Sequence, residues 1–155
     1  STLLHLIQRR LTPLAGDIEV GVERVAYFDQ AVSMLNPDAR LVDEYQRMNP
    51  QASQFDAYAM LSRFDFKNVR AEKKVSALSG GERMRAGLVM CLMSDRPPQL
   101  ILLDEPTNHL DLRSIAAVEK MLQCYQGAIV AVSHDENFLE AIGIERTIDL
   151  SPNTN

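Results

Sequence analysis

The sequence contains no tryptophan and only two cysteines. No apolar run approaches the ~20 residues that a membrane-crossing helix needs, so a helical span is excluded. Cys91 and Cys124 lack metal-ligand spacing and read as small buried hydrophobes in a reducing compartment, which points to a cytoplasmic location. Basic excess is missing too. The net charge of −5 gives no overall basic footprint for nucleic acid or an anionic membrane. A basic patch elsewhere on a longer protein could still carry an RNA contact. Ser1 to Ile7 show neither the positive start of a signal peptide nor an initiator methionine, so the chain is expected to begin partway through a longer protein. Internal repeats and low-complexity tracts are also absent.

What is present suits one domain. At 155 residues the chain can bury roughly 70% of its unfolded surface. Its most informative stretch is Leu100 to Asp111, Leu-Ile-Leu-Leu-Asp-Glu-Pro-Thr-Asn-His-Leu-Asp. A short apolar run of this kind predicts a strand buried on both faces of a parallel sheet, ended by Pro106. Ala128 to Val132 reads as a second buried strand, stopping at Ser133-His134-Asp135. Further strands are expected at Gly16–Val20, Arg24–Asp29 and near Arg146–Leu150.

Helices are expected from Thr2 to about Arg10, at Leu41–Met48, at Gln51–Arg63 and from the Leu78-Ser79-Gly80-Gly81-Glu82 run to about Ser94. Phe55, Tyr58 and Leu61 follow helical spacing in the third of these, and Arg70 to Lys74 reads as a solvated loop. Asp111 caps a further helix with Ile115, Val118, Leu122 and Tyr125 as its buried stripe and Gly127 at its end. A short helix from Asp135 to Ile142 follows. Strands alternating with helices at the two ends predict an α/β fold with a mostly parallel sheet. Residues 1–30 and 96–155 would form that core. Residues 31–95 would be an inserted helical subdomain.

Several residue groups could carry chemistry. Asp104 at a strand end can hold Mg²⁺ shared with substrate phosphates, and Glu105 could orient or deprotonate an attacking water. For an isolated Asp-Glu pair, two solvated carboxylates are the commoner outcome. Ser79, Gly80, Gly81 and Glu82 open a helix whose N-terminal amides suit a phosphate. Ser-x-x-Glu is also a capping box needing no ligand, but the paired glycines favour close backbone approach. His134 follows a buried strand and could bond a γ-phosphate or the attacking water, although a turn or cap is its ordinary use. Gln30, at the end of another strand, is the weakest candidate. Ser1-Thr2 heads an apolar helix, either as an N-cap or as the hydroxyl end of a phosphate-binding loop.

Taken together, these residues resemble an ATP-binding-cassette (ABC) ATPase domain, a P-loop NTPase core, over nearly the whole chain. Leu78 to Glu82 matches the signature motif, and Leu100 to Asp104 with Glu105 matches the Walker B strand and catalytic glutamate. Asn108 to Asp111 matches the D-loop, His134 the switch histidine and Gln30 the Q-loop. The run Asp-Glu-Pro-Thr-Asn-His-Leu-Asp is most similar to the ABC-F group, and Ser133-His134-Asp135 agrees. Glu136 departs from it mildly, where the group often has arginine. The 30–78 interval is too short for the long arm of a first cassette.

The resemblance implies ATP and Mg²⁺ as cofactors. Asp104, Gln30 and Ser1 would stand at the metal, and Glu105, His134 and Gln30 would be catalytic. Ser1, Thr2, Ser79 to Glu82 and Asp111 would contact nucleotide. It also implies a second cassette as partner and a target such as the ribosome. A transporter subunit or a non-catalytic dimerisation module are the alternatives. The glycine-rich loop and its lysine would lie before Ser1, so the chain by itself is expected to bind MgATP weakly and not to hydrolyse it.

Overall fold

Leu100, Ile101, Leu102 and Leu103 are all buried, the last three completely, as a central strand requires. In the computed structural model, which describes residues 2–150, they belong to β2 (Leu100–Asp104). β2 pairs in parallel with β1 (Val25–Phe28) on one side and β3 (Ala128–Val132) on the other. The chain is thus α/β around a parallel sheet.

Alternation along the strands divides the core in two. Leu100 and Leu102 face α1 (Thr2–Ile7), where Leu4 is fully buried and Val20, Val22, Val25 and Val130 pack around them. Ile101 and Leu103 face the larger cluster. That cluster includes Phe28, α4 (Gly80–Leu92), Val118 and Leu122 of α5 (Leu112–Gln123), and Phe138 of α6 (Glu136–Ala141).

Between β1 and β2 the chain forms α2 (Leu41–Met48), α3 (Gln54–Arg63), two single 3₁₀ turns and then α4. Two buried polar residues join these pieces. Glu44 accepts from the Arg47 guanidinium through both its oxygens at 2.8 Å and from the Asn36 amide at 3.0 Å. Asn49 donates to the carbonyls of Tyr45 and Met90, tying α2 to α4. Such pairing is required where a carboxylate is as deeply buried as Glu44.

Several sequence expectations are corrected. Residues 16–20 form no strand: Val20 turns into the α1 cluster and Gly16 has a left-handed φ of +76°. Residues 146–150 are likewise outside any ladder, with Ile148 and Leu150 exposed. Both segments are apolar enough for a strand, yet neither is hydrogen-bonded into the described sheet. β3 is only partly buried because it forms an edge of the described sheet. α1 stops at Ile7 and unwinds through a turn in which Arg9 takes φ +58°. α3 begins at Gln54, set by the Ser53 capping box, and Phe55 points outward. α4 ends early, at Leu92. Tyr125 lies beyond α5 and bonds the Pro98 carbonyl at 2.8 Å. Cys91 is buried, with its thiol pushed up to about 12 by desolvation, whereas Cys124 is exposed.

At Gly87, α4 comes close to the end of β1. A Cβ there would stand 2.8 Å from Val32 Cγ1 and 3.0 Å from Phe28 Cε1, both buried side chains with little room to yield. Gly87→Ala is expected to destabilise the fold by about 1–3 kcal/mol through overpacking. Urea unfolding followed by far-UV circular dichroism checks this as a lower midpoint at unchanged slope.

Candidate functional site

Because the three strands of the described sheet run the same way, their C-terminal ends share one edge, the usual ligand edge of open α/β folds. Asp104 ends β2 and continues the Leu100–Leu102 side of the strand. Tyr27 lies on that side of β1 and donates its hydroxyl to Asp104 Oδ2 at 2.9 Å. Burial first, then the bond to Asp104 and its charge, push the Tyr27 phenol up to about 12.

Glu105 is the next residue. Its amide donates to the Val132 carbonyl at 2.8 Å, so the ladder continues one step past β2. The backbone then turns sharply, with Glu105 at φ +49°. A non-glycine residue held there costs on the order of 1–3 kcal/mol, a strain that recurs at functional sites. The Glu105 carboxylate lies 3.4 Å from His134 Nε2, beyond the end of β3. Glu105 is mostly covered, whereas His134 stands almost wholly in solvent.

Gln30 is exposed two residues past β1. The following turns are fixed by Asp29, whose side chain accepts from the Ser33 amide at 2.8 Å and whose carbonyl accepts from the Val32 amide at 3.0 Å. Thr2 opens α1 and is exposed; Ser1 lies outside the described residues.

The Ser79–Glu82 run forms a complete capping box. The Ser79 hydroxyl accepts from the Glu82 amide at 3.2 Å, and the Glu82 carboxylate accepts from the Ser79 amide at 2.9 Å. The glycines divide in purpose. A Cβ on Gly81 would overlap Ser114 of α5, so its close backbone approach is to a neighbouring helix. A Cβ on Gly80 would meet nothing nearer than Leu110 Cδ2 at 3.7 Å. Ser79 remains exposed at the tip.

Asp111 caps α5 by accepting from the Ser114 amide at 2.8 Å. Among the described residues, no group of three or more His, Cys, Asp or Glu is arranged to cage a metal ion. A Mg²⁺ held by one carboxylate and completed by phosphates and waters needs no such cage. Asp104, a hard oxygen donor at the strand end, fits that demand.

Sequence reasoning does not single out Tyr27. An aromatic in a short strand reads as core filler, and only strand register brings it to Asp104 across 77 positions.

The Asp111 cap also sets a pH dependence. The hydrogen bond donated by the Ser114 amide holds the Asp111 carboxyl below the ordinary 3.8. A carboxylate depressed on folding adds stability that is present above its unfolded pKa and is lost as pH falls through the lower folded one. The stability difference between the protein and Asp111→Ala is therefore expected to hold from pH 7 to about 5 and to shrink below 3.8. Urea midpoints measured across that range check it.

Comparison with known proteins agrees with this layout. The family described as ABC transporter matches residues 1–108. ABC transporter F family member 5 of Arabidopsis thaliana is 37% identical over 153 residues, covering 97% of this chain and 22% of that protein. The chain thus spans about a fifth of that relative's length. A putative metal-chelate type ABC transporter, solved in an inward-facing conformation, superposes with a TM-score of 0.67 at 25% identity, covering 90% of this chain and 60% of that one. An archaeal ribosome recycling factor, solved in complex with a ribosomal stalk protein, shares the fold with a TM-score of 0.66 at 21% identity, covering 91% of this chain and 28% of that one. With a buried parallel strand ending in Asp104-Glu105 and the family match over residues 1–108, the chain belongs to the ATP-binding-cassette ATPase family and is similar to its F group.

Proposed function

We propose that this chain supplies part of an ATP-hydrolysing site in an ABC-F-type protein. The observation that carries the reading is the pairing of Glu105 with His134, 3.4 Å apart, beside Asp104 at one sheet edge. Asp104 and Gln30 would hold Mg²⁺, with Ser1 as a further ligand, and Mg²⁺ when bound neutralises charge on the transferring phosphoryl group. Glu105 would orient and deprotonate the attacking water. His134 is almost wholly exposed, which leaves it able to reach a phosphate oxygen or that water.

Ser79, Gly80 and Gly81 would face the nucleotide of a second cassette. The Ser79 hydroxyl oxygen is engaged as a cap acceptor, and its proton can be donated outward. Glu82 and Asp111 would then act by holding the helix ends rather than by touching nucleotide. Residues 31–95 would form the helical subdomain inserted between two core segments. A cytoplasmic location and a ribosome-related target accompany the ABC-F reading. A transporter subunit is the second reading, favoured by the fold match to the metal-chelate type transporter.

In the intact protein that carries this cassette, Glu105→Gln is expected to lower ATP turnover about 100-fold or more with nucleotide binding retained. Aspartate caps helices as well as serine does, so Ser79→Asp is expected to leave stability within about 0.5 kcal/mol while lowering turnover, because its charge opposes a phosphate. Steady-state phosphate release and urea unfolding read the two effects separately. Unchanged turnover in both variants would remove the basis for the reading.

A further inference from the structure

Tyr27 is held from several directions. Its backbone is fixed in β1 opposite Leu102, two residues before Asp104. The His5 ring of α1 meets its ring edge-on, with centroids 5.9 Å apart, and the Arg10 guanidinium lies 5.6 Å from its centroid. An aromatic ring confined in this way has little rotamer freedom left, so its hydroxyl presents a fixed donor. That donor is spent on Asp104 Oδ2 at 2.9 Å. A tyrosine whose only task was to fill this side of the sheet would need no hydroxyl aimed at a carboxylate.

We propose that Tyr27 is a positioning residue for the metal site: its hydroxyl, anchored by α1 and β1, fixes the orientation of the Asp104 carboxylate and thereby sets how tightly the site takes Mg²⁺. The proposal rests on the reading of Asp104 as the metal-binding carboxylate. Metal-ligating carboxylates are commonly oriented by such partners, whose removal weakens metal affinity about 10–100-fold. The arrangement also places α1 in contact with the metal carboxylate through one ring. His5 and Arg10 touch Tyr27, and Tyr27 touches Asp104.

The test compares the intact protein with its Tyr27→Phe and Asp104→Asn variants. Phenylalanine keeps the ring and its packing against His5 and Arg10 and removes only the hydroxyl. Two quantities are read. One is the Mg²⁺ concentration giving half-maximal ATP turnover at fixed ATP. The other, independent of turnover, is the rise in thermal unfolding temperature on adding Mn²⁺ to the ADP-bound protein, taken relative to each variant's own value with ADP alone. A uniform loss of stability therefore does not imitate a metal effect.

Tyr27→Phe is expected to raise the Mg²⁺ requirement about tenfold and to shrink the Mn²⁺-dependent shift, with maximal turnover at saturating Mg²⁺ largely restored. Asp104→Asn is expected to impair both readouts far more severely. Tyr27→Phe behaving like the parent while Asp104→Asn loses metal dependence overturns the role of Tyr27 and leaves the ATPase reading standing. Asp104→Asn retaining full metal dependence overturns the metal assignment itself, and the role of Tyr27 with it.

Discussion

A strand buried on both faces has nowhere to place a charge except at its end, and β2 follows that constraint. Leu100, Ile101, Leu102 and Leu103 fill two separate clusters before the first carboxylate appears at Asp104. Each fully buried side chain of this size contributes roughly 1.5–3 kcal/mol. That burial fixes the height at which β2 leaves the core. The strained turn at Glu105 depends on it, since the left-handed backbone there is held by the Val132 carbonyl of a strand registered to β2.

The same constraint explains why the reactive edge is assembled from distant parts of the chain. Parallel pairing sends β1, β2 and β3 out of the sheet at a common level, so the residues after them become neighbours without any sequence proximity. Tyr27 and Asp104 meet across two strands, and Glu105 and His134 meet across the next pair. The helices supply thickness and capping. Their contribution to the edge is indirect, through α1 against Tyr27 and through the α4 tip against the loop before α5.

What can be read from sequence is what depends on near neighbours. The apolar run of β2, the helix start at Ser79–Glu82 and the Asp111 cap are defined within a few residues, and each is found where it is expected. The strands expected at 16–20 and near 146–150 depend on neighbours that spacing cannot supply, and neither segment is a strand. Gly81 lies against Ser114, a contact between helices that no local pattern reveals. Tyr27 escapes a reading of the sequence for a related reason, because its meaning comes from register rather than from its surroundings in the chain.

The contact between Gly81 and Ser114 has a mechanical side. With no side chain separating them, α4 and α5 meet backbone to side chain at their N-terminal ends, and Leu110 covers the adjoining Gly80. A side chain at position 81 would have to part these two helix ends, and with them displace the tip that carries the exposed Ser79.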